Sequence, residues 1–376
     1  MPITSILALV IAFFIPIIIL FIVYTQDLYR TGTFQYVLLS FLWGGIAFGF
    51  AAFINHFLVG SGGIERLTII QYIAPFEEEI LKGIILIYLI RRPNFTYFID
   101  GAIYGFAVGI GFAVIENYDY ILGETSGVLD IAIGRVISTN LIHAASTAIV
   151  GIAAGMARFS RGPGRVLRII VGLILAILLH AGFNNLVTRV ESGWLLMYAA
   201  VVGIAGVGAI WGLIRHGLAE EKVWITETLG MTDRVTLSEA AVVHHLSDLD
   251  QILQPIVKRF GAEKAFQIEN FLFMQARLGI LRKTLEKLPD DDEDLIIATR
   301  NQVAQIQGEM DSVRRSVGSI AMMYLRNIFP PEDTTLWSRL ERVVENQIAV
   351  QPTSGERGMW EKLEAATQSS NDENEE

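Results

Sequence analysis

Seven long apolar runs dominate the first 215 residues, at about 3–23, 34–58, 67–90, 98–118, 131–157, 166–188 and 194–214. About 20 apolar residues in a helix cross the roughly 30 Å of bilayer hydrocarbon, and a helix satisfies its own backbone there. The chain is therefore expected to be all-α, a polytopic transmembrane bundle of about seven spans with a C-terminal soluble helical domain. The first run lacks a basic leading segment and a small-residue cleavage pattern, so it reads as a retained anchor and not as a signal peptide. The division predicted is a membrane core over 1–215, a helical domain over 216–350 and a disordered acidic tail over 351–376.

Charge changes at the same boundary. Residues 1–215 hold 12 Lys and Arg against 11 Asp and Glu, whereas the remainder holds 17 against 28, so the net charge of −10 belongs to the C-terminal part. That balance excludes nucleic acid as a partner, which requires a basic face, and leaves the lipid bilayer as the surroundings of the apolar part. The absence of cysteine removes thiol nucleophiles, disulfides and Cys-ligated zinc. Arg30, Arg91, Arg92, Arg158, Arg161, Arg165, Arg168 and Arg215 fall on alternate loops or helix ends. By the positive-inside rule the N-terminus is expected outside and the C-terminal domain in the cytoplasm.

Against this apolar background a few ionisable residues stand inside the runs, where each costs about 2.5 kcal/mol or more at mid-bilayer and marks a functional centre by default. The third run carries Glu77, Glu78, Glu79 and Lys82, the fourth Glu116 and Asn117, the fifth His143 and Thr147, and the sixth His180, Asn184 and Asn185. Glu78 with Lys82, Phe112 with Glu116, His143 with Thr147 and His180 with Asn184 are all four apart, so each pair shares one helix face. Glu78 lies 13 residues from Arg91, Glu116 16 from Asp100, His143 15 from Arg158 and His180 12 from Arg168. At 1.5 Å per residue these are depths of about 18–24 Å, one level and therefore one site. Glycines spaced by four, Gly101, Gly105 and Gly109 in the fourth run and Gly151 and Gly155 in the fifth, are expected to let those helices pack closely. Asp100 reads as a helix-end residue, and Asn117 and Asn185 as packing polars.

A site of carboxylates, imidazoles, an amide and one ammonium, without a nucleophile triad, suits water activation by a carboxylate base better than a covalent intermediate. Clustered carboxylates at low dielectric cannot all be ionised cheaply. Lys82, one turn from Glu78, would hold one of them ionised, and histidine and asparagine donors opposite would stabilise an oxyanion.

At these residues the sequence resembles the PrsW-type glutamic intramembrane proteases, within the larger superfamily of CAAX-processing endopeptidases and abortive-infection proteins. The likeness covers about 67–190: EExxK at Glu78, Glu79 and Lys82, FxxxE at Phe112 and Glu116, a third motif at His143, and HxxxN at His180 and Asn184. It implies peptide-bond hydrolysis inside the membrane, in a membrane-protein or peptide substrate; no cofactor is expected, with zinc as the alternative. Glu78 would be the water-activating base, Glu116 or His143 its partner in positioning the water, and His180 and Asn184 the oxyanion binders. The spacing to Lys82 favours Glu78 and Glu79 over Glu77 as the motif pair. The second motif ends in Glu and not His, unlike the CAAX branch, which weakens prenylated proteins as substrates.

Two other readings use the same residues. Glu78, Glu116, His143 and His180 are a mixed carboxylate and imidazole set of the kind that holds zinc, although no HExxH helix is present. An ion-coupled carrier also binds at the midplane, but the paired repeats expected of one are missing.

Beyond Arg215, Phe271, Met274, Leu278, Leu281, Leu285 and Leu288 alternate in steps of three and four. After the acidic run from Asp290 to Asp294 the alternation resumes from Ile296 through Thr299, Val303, Ile306, Met310, Val313 and Val317 to Ile320. An antiparallel heptad hairpin over about 264–325 is expected, with its seam buried within the chain or shared in a homo-oligomer. His244 and His245 carry no assigned role, Pro330 and Pro331 should end the second helix, and a further helix is expected between Trp337 and Val350.

Overall fold

The computed structural model describes residues 2–29, 32–60, 63–188, 194–229, 242–243, 246 and 249–326. Arg30, His244, His245, Pro330, Pro331, the segment from Trp337 to Val350 and the acidic tail lie outside them. The described residues form helices and connections without strands. Among the described residues, six helical segments have the length and apolarity to cross a membrane: α1 (Ile3–Tyr24), α2 (Phe34–Gly60), α5 (Phe98–Gly123), the joined α6 (Val128–Ile137) and α7 (Thr139–Ala157), α8 (Pro163–Val187) and α9 (Trp194–Thr228).

The run expected at 67–90 is helical but is not one regular helix. It divides into α3 (Arg66–Thr68), a π-helical turn (Ile69–Ile73) and α4 (Ala74–Leu89). The break has a covalent cause. Pro75 stands at the start of α4 and has no N–H to return to the Gln71 carbonyl, while the Ala74 N–H bonds Ile69 five residues back and so leaves Ile70 unserved. Both orphaned carbonyls find partners on α8: Asn184 Nδ2 donates to Ile70 at 2.9 Å and Asn185 Nδ2 to Gln71 at 3.2 Å.

Helix α5 is the axis of the bundle, buried along nearly its whole length and packed chiefly on α7 and α2. Small residues permit this approach. A Cβ at Gly101 would fall on the Gly151 carbonyl, one at Gly105 on the Thr147 carbonyl and one at Gly109 on that of His143. Helix α4 is inserted against α2, α7 and α8. Phe14, Phe21, Phe53, Phe57 and Leu178 point outward from α1, α2 and α8, as lipid-facing residues do. Asp100 closes the N-terminus of α5 by accepting from the backbone and hydroxyl of Thr96, and Asn117 donates to Asn140 across α5 and α7.

Helix α9 continues without interruption past Arg215, the predicted boundary, to Thr228. It is followed by α10 (Leu249–Phe260), α11 (Ala262–Lys287), α12 (Glu293–Val317) and α13 (Ser319–Arg326). Helices α11 and α12 pack on each other across the acidic turn, and α11 also packs on α9. Phe271, Leu278, Leu281, Ile306, Met310 and Val317 are buried within this chain. Ile320 leaves the seam because Gly318, at φ 87°, ends α12 and redirects the backbone. The acidic turn meets the α7–α8 loop, with Arg161 bonded to Asp290 at 2.8 Å and Arg165 to Asp292.

Candidate active site

Four helices deliver one buried cluster. Glu78, Glu79 and Lys82 come from α4, Glu116 from α5, His143, Ser146 and Thr147 from α7, and His180 from α8. Glu79 is its hub. Its Oε1 accepts from Lys82 Nζ at 2.6 Å, Ser146 Oγ at 2.9 Å and His180 Nδ1 at 2.9 Å, and its Oε2 accepts from Thr147 Oγ1 at 3.2 Å. Four donors saturate this carboxylate, which is fully buried.

Glu78, the preceding residue, is bonded in the opposite way. It is 8% exposed, and its buried Oε2 has no hydrogen-bond partner, with Lys82 Nζ 3.9 Å and His180 Nε2 3.8 Å away. Since Lys82 spends its short contact on Glu79, the carboxylate it holds ionised is Glu79 rather than Glu78.

His143 bridges two charges. Lys82 Nζ lies 3.1 Å from Nδ1 and Glu116 Oε2 2.8 Å from Nε2. An ammonium can only donate, so Nδ1 accepts and Nε2–H donates to Glu116. Glu116 is also 2.7 Å from Arg135 Nη2. Phe112 covers this pair, its ring 4.4 Å from Lys82 Nζ and 5.1 Å from the His143 ring. Three carboxylates thus face two cations, and Glu78 is the one without a short ion pair.

The expected residues Glu78, Glu79, Lys82, Glu116, His143 and His180 come together; Asn184 does not join them by any hydrogen bond among the described residues. One of its amide N–H groups serves the Ile70 carbonyl. His180 donates from Nδ1 to Glu79, which in the neutral imidazole leaves Nε2 as an acceptor. Ser146 and Arg135 belong to the site although neither was expected there. Ser146 stands three residues after His143 on its face, a signal present in the sequence. Arg135 enters because Ser138, with φ −127° and ψ −78°, kinks the fifth run and carries α6 in a new direction.

A metal can be tested against the same atoms. Glu78, His143 and His180 each offer a ligand atom, and the three lie within 4.8 Å of one another. Two imidazoles with one carboxylate is the donor set of catalytic zinc sites, and the Glu79 bond to His180 Nδ1 is the outer contact that orients a ligating imidazole. The residues fit the ion in kind and spacing, with Lys82 as the competing cation.

Fold and composition together define an integral, multi-pass membrane protein with a polar cluster where four of its helices meet. Residues 32–210 match the family described as PrsW family intramembrane metalloprotease. Protease PrsW of Bacillus subtilis (strain 168) is 32% identical over 178 residues, which cover 46% of this chain and 78% of the relative. Protease PrsW of Clostridioides difficile (strain 630) is 28% identical over 148 residues, 39% of this chain and 62% of that protein. For Protease PrsW of Shouchella clausii (strain KSM-K16) the figures are 30% over 146 residues, 37% and 63%. No solved structure matches the chain. The chain belongs to the PrsW family of intramembrane proteases.

Proposed function

We propose that the cluster hydrolyses a peptide bond of a membrane-protein or peptide substrate, with Glu78 as the general base. One observation carries this reading: of two adjacent buried carboxylates, Glu79 is saturated and Glu78 keeps an oxygen without a partner. The 3.8 Å between Glu78 Oε2 and His180 Nε2 is a span that one water bridges, donating to both acceptors. Glu78 takes the proton as the water oxygen attacks the carbonyl carbon, and returns it to the amine nitrogen when the C–N bond breaks. Lys82, the cation nearest Glu78, offsets the oxyanion through space. Glu116 fixes the His143 tautomer and thereby the position of Lys82.

The spacing of Glu78, His143 and His180 favours a second reading in which these three hold zinc. Such an ion supplies a water that ionises near neutral pH and a Lewis acid for the carbonyl. Purified Glu78→Gln should lose cleavage of a model membrane substrate while keeping its fold under either reading. Metal analysis then separates them: near-stoichiometric zinc lost from His180→Ala together with activity supports the ion, whereas metal-free protein with full turnover in chelator supports the glutamate alone. Undiminished turnover by Glu78→Gln would reject both.

The arginine loops support a cytoplasmic C-terminal domain and an outside N-terminus. The motif order supports a wider kinship with the CAAX-protease and abortive-infection superfamily.

A further inference from the structure

A cavity of about 830 Å³ opens where α4 and α8 leave the apolar layer, far along both helices from the carboxylate cluster. Four arginines line it from the membrane side, Arg91, Arg92, Arg158 and Arg165, and the acidic residues 291–294 line it from the α11–α12 turn and the start of α12. The cavity is therefore neutral overall but divided, with a cationic wall opposite an anionic one. A lone anion or a lone cation would be attracted by one wall and repelled by the other. A ligand carrying both charges a few ångström apart suits both.

The cationic wall is built around a buried group. Arg158 is 2% exposed; its Nη1 donates to the Ile90 and Arg92 carbonyls, while Nε and Nη2 have no partner. Burial pushes its guanidinium down to about 10 although Asp100 and Asp292 pull the other way, so its charge is incompletely compensated. Arg165 is taken by Asp292, whereas Arg91, Asp291, Glu293 and Asp294 make no ion pair among the described residues. Above the charges, exposed Ile87, Tyr88 and Val166 make an apolar strip between α4 and α8. Headgroups lie at this level of a bilayer, and basic pockets between helix ends are lipid-headgroup sites.

We propose that this cavity binds a zwitterionic aminophospholipid, its phosphate on Arg158 and Arg91, its primary ammonium on Asp291 and Asp294, and its acyl chains along the Ile87 and Val166 strip. A primary ammonium, with three N–H donors, suits carboxylates where a quaternary one has none to give. This assignment is independent of the hydrolytic chemistry.

Native mass spectrometry of the full-length protein, titrated with phosphatidylethanolamine, phosphatidylcholine and phosphatidylglycerol of identical chains, tests it. Phosphatidylethanolamine should be retained about tenfold more tightly than either rival, the worth of one charge-assisted hydrogen bond. Asp291→Asn with Asp294→Asn should abolish the preference over phosphatidylcholine, and Arg158→Gln should weaken all three lipids. Because Arg158 also ties the Ile90 and Arg92 carbonyls, Arg91→Gln provides the same readout should the first variant fail to fold. Glycerophosphoethanolamine, the headgroup without chains, should not compete; effective competition would assign the site to a soluble phosphoamine. Equal retention of the ethanolamine and choline lipids, or tighter binding of phosphatidylglycerol, would overturn the proposal.

Discussion

Glu79 Oε1 accepts from His180 Nδ1 at 2.9 Å, joining α4 to α8 across 101 positions of sequence. With Lys82, Ser146 and Thr147 on the same carboxylate, this one side chain ties three helices together at bilayer depth. A buried charge that is fully hydrogen-bonded holds structure, whereas one with a spare lone pair is available for chemistry.

The two neighbouring glutamates should therefore separate stability from turnover. Glu79→Gln leaves Lys82 buried without its closest counter-charge and is expected to lose about 3–5 kcal/mol of stability. Glu78→Gln removes no hydrogen bond in the cluster and should melt close to the wild type, while its turnover falls by at least the 10²- to 10⁴-fold typical of a lost general base. Thermal unfolding and single-turnover cleavage on the same detergent preparations measure both. A Glu79→Gln protein as stable as wild type, with a destabilised Glu78→Gln, would reverse the assignment.

Asn184 distinguishes an oxyanion donor from a structural tie. With its amide on the Ile70 carbonyl, Asn184→Ala strands a part-buried acceptor at the π-turn and should cost about 1 kcal/mol. Turnover measured well below the melting temperature should stay within a few-fold of wild type. Loss of an oxyanion donor would instead cut kcat about 10²- to 10³-fold with the melting temperature unchanged.

The helical nature of the membrane part and the level of its charges were legible because hydrocarbon makes both conspicuous: a run of some 20 apolar residues has few alternatives, and a carboxylate within it needs a reason. What hydropathy does not price was hidden. Ser146 costs little in a bilayer, so hydropathy did not single it out, and only its spacing of three from His143 placed it on the site's face. Asn184 lies four residues from His180, and spacing gives a shared face but not which neighbour the amide meets. Pro75 was visible, yet its consequence, a π-turn whose freed carbonyls recruit Asn184 and Asn185, depends on α8 packing alongside. Charge composition turns at Arg215 while the helix runs on to Thr228, so the change of composition does not mark the end of α9.

Gly109 should be the glycine most sensitive for function. A Cβ there meets the carbonyl of His143 itself, so Gly109→Ala forces α7 away from α5 just where Lys82 and Glu116 engage the imidazole. The expected cost is about 1–3 kcal/mol, as for other overpacked contacts, with a larger fractional loss of activity than of folded protein. Gly49, next to which a Cβ meets nothing within 4 Å, is the control: Gly49→Ala should keep both activity and melting temperature.

The acidic turn between α11 and α12 offers two ion pairs to the arginine loop, and their surroundings predict unequal worth. Arg161 and Asp290 expose 70% and 91% of their side chains, so water and salt screen the pair and Asp290→Ala should change nothing measurable. Arg165 and Asp292 expose 29% and 24%, and two guanidinium nitrogens engage the carboxylate, the geometry in which such pairs do contribute. Asp292→Ala should loosen the hairpin by about 1 kcal/mol, read as faster amide exchange across 288–296 with the membrane helices unaffected. Raising salt should reproduce part of that loosening in the wild type and little of it in Asp292→Ala, because the variant has already lost the screened contact. Equal exchange in wild type and Asp292→Ala at low salt would mean that the α11 packing on α9 holds the hairpin without help from charge.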